Sequence, residues 1–250
     1  MTDPYRNPLK TKLSGGAPCI GAWLTSGSSI NAEAMASLGF DWLCVDMEHG
    51  SSDISQVEAV FQAVERHGVS AMVRIGSLDG HLARRLLDLG AAGIIVAAVE
   101  DATEFAGFAD FCLYAPNGHR GVGLSRCNVW GDAFDDYREN FRPLLVPMVE
   151  TRRGVAAAAD LAALSVVDAI FLGPYDLSSD LGCGGDFKSA DFIAAVDTVR
   201  QACAGKAVGI HQVKPDKDEL KARIAEGFTL LAYGTDVIAL RQALAGVREL

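Results

Sequence analysis

The stretch SAMVRIGSLDGHLARRLLDLGAAGIIVAAV, residues 70–99, decides the fold. It opens on one apolar run, SAMVRIG (70–76), and closes on another, GIIVAAV (93–99). Between them Leu82, Leu86 and Leu89 recur at helical spacing, with Arg84, Arg85 and Asp88 interleaved and Gly90 as a stop. Short runs that stay apolar without alternation mark strands buried on both faces, as in a parallel sheet. The stretch therefore reads as strand, helix, strand. The same unit repeats in both directions. Six further runs bring the strand total to eight: APCIGAWL (17–24), WLCVDMEH (42–49), LLVPMVE (144–150), VVDAIFLGP (166–174), AVGIHQ (207–212) and FTLLAYGTD (228–236). SADFIAAVDTVRQACAG, KDELKARIAEG and DVIALRQALAGVREL read as amphipathic helices among them. Eight strand–helix units in 250 residues predict an α/β fold, a (β/α)8 TIM barrel, as one domain spanning residues 1–250. A doubly wound open sheet is the alternative topology.

One connection is longer than the rest. The 44 residues between the fourth and fifth runs contain YAPNGHRGVGLSRCNVWGD, where Gly, Asn and Pro crowd together. The reading there is loop for much of the length, and a long ordered loop is usually functional or an interface. Residues 1–14 read as a mobile arm or as a cover for a neighbouring subunit.

Composition narrows the function. Half of the residues are apolar, and 22 basic against 32 acidic side chains give a net charge of −10. An acidic chain lacks the basic face that nucleic-acid binding needs. No apolar run is long enough to span a membrane, and MTDPYRNPLKTKLSGG lacks the core of a signal peptide. The six cysteines form no CxxC pair and read as reduced thiols, so the expectation is a cytoplasmic protein. Cys44 has no base beside it and reads as inert packing.

A barrel carries its chemistry at the C-terminal ends of its strands. Strand two ends in Asp46, Glu48 and His49, strand three in Arg74, strand five in Glu150, and strand six runs into Asp176. Charged groups at the ends of apolar strands are costly unless paired or coordinated. Glu150 and Asp176 come from adjacent strands, and two carboxylates suit a hard divalent ion such as Mg²⁺ or Mn²⁺. The alternative is that each pairs with a nearby arginine, Arg152 or Arg153. The planar fork of Arg74 suits a substrate carboxylate, or else a barrel-closing salt bridge. His49 is the candidate for proton transfer. His67 and His81 lie in or near helices and His119 in the long loop; His211, on strand seven, reads equally well as a satisfied core residue.

Two competing chemistries fail on the residues. An imine mechanism needs a lysine projecting from a strand, and Lys10, Lys12, Lys188, Lys206, Lys214, Lys217 and Lys221 all lie outside the runs. Lys206 precedes strand seven, at the wrong end of the barrel. Nucleotide binding lacks its motifs, since GVGLSR sits in the long loop rather than between a strand and a helix.

GAWL, FDWLCVDMEHG, VRIG, LLDLGAAGIIV, YAPNGHRGVG, VPMVET and GPYDLSSDLG occur in that order over roughly residues 15 to 240. Together they resemble the HpcH/HpaI family of metal-dependent, class II pyruvate aldolases, which includes 4-hydroxy-2-oxoheptanedioate and 2-keto-3-deoxy sugar-acid aldolases. The resemblance implies reversible cleavage of a 4-hydroxy-2-oxo acid to pyruvate and an aldehyde, with Mg²⁺ or Mn²⁺ as cofactor and Co²⁺ also compatible. It implies that His49 is the general base, that Arg74 binds pyruvate and stabilises its enolate, and that Glu150 and Asp176 hold the metal. Asp176 and the Tyr175 backbone N–H then contact the substrate. The same resemblance makes Asp88 a partner that raises the basicity of His49, although its place at a helix end before strand four puts it at the far face and leaves Asp46 as rival. Arg120 is implied at the aldehyde, across a subunit boundary.

The chain departs from the family twice. Met148 stands where a substrate-contacting glutamine is usual, and Ala97 where strand four has a proline. Three other readings use the same residues: a decarboxylase or hydrolase of β-keto acids such as oxaloacetate, a lyase of a CoA thioester, and a barrel that only binds a small acid. The resemblance also implies a homo-trimer or homo-hexamer with C-terminal helices packed between subunits.

Overall fold

Eight parallel strands hydrogen-bond in chain order and close into a barrel: β1 (Cys19–Leu24), β2 (Trp42–Asp46), β3 (Ser70–Ile75), β4 (Gly93–Val96), β5 (Leu144–Val149), β6 (Ala169–Leu172), β7 (Ala207–Gln212) and β8 (Leu230–Thr235). The structure is a computed structural model and describes residues 7–247. Helices α1 (Pro8–Ser14), α2 (Ser29–Ala36), α3 (Ile54–Glu65), α4 (Gly80–Asp88), α5 (Ala102–Cys112), α6 (Phe134–Asn140), α7 (Arg152–Ala163), α8 (Pro174–Asp180), α9 (Ala190–Ala202), α10 (Lys217–Ala225) and α11 (Asp236–Ala243) connect them or flank the chain ends. The (β/α)8 expectation holds. No described helix is long and apolar enough to cross a membrane.

Two apolar layers follow from the strand period of two. Residues such as Leu43, Val45, Val73 and Ile94 face the helices and form one cluster with them. Their neighbours Trp42, Cys44, Met72, Ile95, Val146 and Phe171 fill the barrel interior. The fit there is tight. A Cβ on Gly21 would run into the Trp42 indole, and one on Gly209 into the Phe171 ring, so small residues face large ones across the layer.

The strands are shorter than their apolar runs. β4 stops at Val96 because Ala98 turns to φ +49°, the left-handed region, at the barrel mouth. Ala97 keeps the ladder going for one more residue by donating its N–H to the Ile75 carbonyl (3.0 Å), a bond that a proline there would forfeit.

Two expectations need correction. The connection before β5 is more helical than its composition predicts, holding α5, a 3₁₀ turn (Arg126–Gly131) and α6. Its tightest point puts Val129 and Trp130 at positive φ, a conformation held by the fully buried Asn128. The Asn128 amide donates to the Gly123 carbonyl (2.7 Å), while its oxygen accepts from the Ser125 and Gly131 N–H groups (3.0 Å each). Residues 8–14 are α1 rather than a loose arm. Leu9 and Leu13 bury against the barrel's own interior cluster, and Asn7 donates to the carbonyls of Ala92 (2.6 Å) and Arg142 (3.2 Å). Residues 1–6 of that arm lie outside the described residues.

Candidate active site

Inward parity carries the polar residues to one place. In β2 the positions Trp42 and Cys44 face inward, so Asp46 does too; in β3 the same holds for Met72 and then Arg74. The β2–β3 register pairs Asp46 with Arg74 directly. Arg74 donates from Nε to Asp46 Oδ1 (3.0 Å) and from Nη2 to Oδ2 (2.5 Å), a bidentate fork. Its Nη1 lies 3.3 Å from Glu48 Oε2. The Trp23 indole N–H donates to Asp46 Oδ2 (3.2 Å), and the guanidinium carbon sits 5.2 Å from the centre of the Trp23 ring. Burial alone would raise the Asp46 carboxyl. The hydrogen bond and charge of Arg74 outweigh it and hold Asp46 below the usual carboxylate range. The salt-bridge alternative for Arg74 is thus realised, inside the cavity and with the guanidinium still lining it.

Across the barrel, Leu144, Val146 and Met148 face inward, and the next position of that parity is Glu150. Glu150 Oε1 accepts the N–H of Ala98 (2.7 Å), which is the bond that the left-handed turn at Ala98 aims. A Cβ on Gly173 would strike the Glu150 carboxylate, so only glycine lets β6 end this close. Glu150 is 5% exposed and makes no ion pair among the described residues. Burial pushes its carboxyl up to about 7; the Ala98 N–H and the more distant charge of Arg74 oppose this, and the charges of Asp176 and Glu48 add to it. Asp176 stands exposed in the first turn of α8 with no described partner for its carboxylate. Arg152 and Arg153 do not neutralise either acid. Arg152 binds the carbonyls of Asp180 and Leu181 (3.1 and 2.7 Å), and Arg153 pairs with Glu100 (2.9 Å).

These groups line one cavity of about 340 Å³ at the C-terminal mouth. Arg74, Asp46, His49, Glu150, Tyr175 and Asp176 all border it. Met148, 1% exposed, closes its floor with a thioether. The first turn of α8 has no side-chain cap, which leaves its N–H groups, that of Tyr175 among them, free to meet an anion. His49 is exposed at the rim, and its Nε2 lies 4.0 Å from Glu48 Oε2.

Asp88 and Arg120 are elsewhere. α4 runs back along the barrel, so its last residue, Asp88, lies at the N-terminal end. There Arg120 Nη2 donates to Asp88 Oδ1 (2.7 Å), and the guanidinium packs 4.6 Å from the Tyr114 ring centre and 5.6 Å from that of Tyr137. Within one chain neither residue reaches the cavity. Asp46 does not orient the imidazole either, since it accepts the backbone N–H of His49 (3.2 Å) instead. Charge-based reading passed over Trp23, Thr235 and Gly173, which carry no charge. Inward parity on β1 was the available signal for Trp23.

The donor set fits a hard cation. Among the described residues no group of three or more His, Cys, Asp or Glu converges as a ready-made metal cluster. Glu150 nevertheless is a buried carboxylate with no ion pair among the described residues and with the Asp176 carboxylate near enough to act on its charge, and carboxylate oxygens are the ligands a hard ion takes.

A profile described as HpcH/HpaI aldolase/citrate lyase matches residues 19–243. The hydroxypyruvate/pyruvate aldolase of Deinococcus radiodurans is 37% identical over 247 residues, which is 96% of this chain and 88% of that one. The 4-hydroxy-2-oxo-heptane-1,7-dioate aldolase of Salmonella dublin is 32% identical over 249 residues, 94% of each. The crystal structure of an HpcH/HpaI aldolase/citrate lyase family protein from Burkholderia cenocepacia superposes with a TM-score of 0.88 at 34% identity, covering 97% of this chain and 99% of that one.

Proposed function

The chain belongs to the HpcH/HpaI aldolase/citrate lyase family and is a carbon–carbon lyase, and from that premise we propose that it cleaves 4-hydroxy-2-oxo acids reversibly to pyruvate and an aldehyde. The observation that carries this reading is Glu150: a buried carboxylate with no ion pair among the described residues, near Asp176, in the same cavity as an immobilised arginine. Glu150 and Asp176 would hold a divalent ion, Mg²⁺ or Mn²⁺, which when bound supplies Lewis-acid polarisation of the substrate's keto group.

The chain's own residues do the rest. Arg74 is fixed by Asp46, so its charge stands in place before negative charge develops on the enolate oxygen. The Tyr175 N–H receives the carboxylate of the oxo acid. His49 takes the proton of the 4-hydroxyl as the C3–C4 bond breaks; the electron pair of that bond goes into the pyruvate enolate and the aldehyde departs. The enolate then gains a proton at C3. In the synthetic direction the same imidazole returns the proton to the new alkoxide.

Pyruvate release from a 4-hydroxy-2-oxo acid tests the reading, measured first with EDTA and then with Mn²⁺ restored. Loss followed by recovery is expected. Release that survives EDTA overturns the role given to Glu150 and Asp176, and no release under either condition overturns the aldolase.

A further inference from the structure

The two carboxylates given the ion above stand on different elements. Glu150 follows β5 and directly precedes Thr151, the N-cap of α7, whereas Asp176 lies in the first turn of α8. Mg²⁺ demands near-octahedral geometry at about 2.0–2.1 Å. Two ligands on separate elements meet that demand only if the elements keep a fixed separation.

α8 is tied to the β5–α7 turn at both of its ends. At the start, the Gly173 N–H donates to the Val149 carbonyl (3.2 Å). At the finish the tie is reciprocal. Arg152 donates from Nε to the Asp180 carbonyl (3.1 Å) and from Nη2 to that of Leu181 (2.7 Å). The Asp180 carboxylate in turn accepts the Arg152 backbone N–H (2.7 Å). Each helix end thus supplies what the other lacks, a carboxylate for the first N–H groups of α7 and a cation for the last carbonyls of α8. A helix of seven residues tied only at its start can pivot there and re-aim Asp176; the second tie restrains that motion.

Arg152 and Asp180 are both exposed, where polar contacts contribute little to folding. Arg152 is also two residues from Glu150, and by charge alone a cation there opposes a divalent ion. The contact nevertheless joins the turn that carries one carboxylate to the helix that carries the other. We infer that Arg152 is a positioning residue that, with Asp180, sets the separation of Glu150 and Asp176 for the ion. The inference rests on the metal reading proposed above and names the device that aligns its two ligands.

The test measures Mn²⁺ binding to the EDTA-stripped full chain, without substrate, from the electron paramagnetic resonance signal of the free ion. Arg152→Ala is expected to weaken binding by at least about tenfold, as the loss of an outer partner of a metal ligand does. Its melting temperature should fall by no more than about 3 °C. The sign separates positioning from charge. Removal of a nearby cation should by charge alone tighten binding, so Arg153→Ala, which removes the adjacent exposed guanidinium, should leave the Mn²⁺ Kd unchanged or lower. Asp180→Ala should weaken binding too, and the double variant should lose no more than the larger single loss, since the two act as one device. Arg152→Lys keeps the charge without a fork that reaches two carbonyls, and it decides the matter by the same expected loss if Arg152→Ala does not fold. Wild-type or tighter binding in the folded Arg152 variant overturns the inference, and so does an equal loss in Arg153→Ala. Glu150→Gln and Asp176→Asn read the premise alone. If they weaken binding and the Arg152 variant does not, only the clamp falls. Binding that neither of them changes, or that the wild type lacks, removes the metal reading and this inference with it.

Discussion

The two ends of the barrel hold charge in opposite ways. The N-terminal end has the larger cavity, about 570 Å³, bordered by Lys10, Asp168 and Lys206. Every one of those charges is occupied: Lys10 pairs with Asp168 (3.0 Å), and Lys206 donates to the carbonyls of Leu164 and Val167 (2.5 and 2.8 Å) at the end of α7. The mouth has the smaller cavity, about 340 Å³, and there Glu150 and Asp176 make no ion pair among the described residues. In the function proposed above, size does not locate the chemistry. Unbalanced charge does, because an unpaired buried carboxylate is a standing cost that a purely structural end of a barrel has no reason to carry.

If the mouth alone is built around charge, the largest effect belongs to the pair that fixes Arg74. Asp46→Asn leaves a buried guanidinium with half of its fork, and unfolding free energy should fall by about 3–5 kcal/mol at neutral pH, read by urea denaturation. The pH dependence has a definite sign. The Asp46 carboxyl is depressed in the folded state, so its stabilisation is present above its ordinary pKa and is lost as pH falls through the folded value. The gap between wild type and variant should therefore narrow below about pH 4. A gap that is constant or widens would show that the pair is not the source.

Glu150→Gln sharpens the contrast from the other side. Turnover with saturating Mn²⁺ should fall by at least about 100-fold, while melting temperature holds or rises, since an uncompensated buried charge is removed. A large drop in stability with turnover preserved would make Glu150 a structural acid. At the opposite end, Leu13→Ala should lower stability by about 2 kcal/mol and leave kcat/KM at the wild-type value. The smallest effect is expected for Lys10→Ala, under about 1 kcal/mol, because both partners are partly exposed. A change in kcat from either of these two would break the division between the ends.

Much of the mouth was legible because strand parity and chain order suffice for it. Once residues 42–46 and 70–75 are neighbouring parallel strands, Asp46 and Arg74 follow Trp42, Cys44 and Met72 onto the inner face. Glu150 follows Met148 in the same way. The left-handed turn at Ala98 was not legible, because alanine carries no sign of positive φ and the bond it aims is to a residue far along the chain. The burial of Arg120 was hidden for a related reason. GHRG looks like a loop open to solvent, and only the packing of Tyr114 and Tyr137 against the guanidinium encloses it.

Periodicity and the order of apolar runs fixed the barrel, since hydrophobic burial is imposed at every residue and leaves its mark along the whole chain. They also fixed which end receives Asp46, Arg74 and Glu150, because in a parallel barrel that depends only on strand direction. Partnership came from the folded molecule. Whether Arg152 reaches Glu150 or the carbonyls of Asp180 and Leu181, and whether Asp88 meets His49 or Arg120, depends on differences of a few ångströms between groups distant in sequence. Hydrogen bonds and ion pairs act over that short range, and a sequence records which groups exist without recording the distances between them.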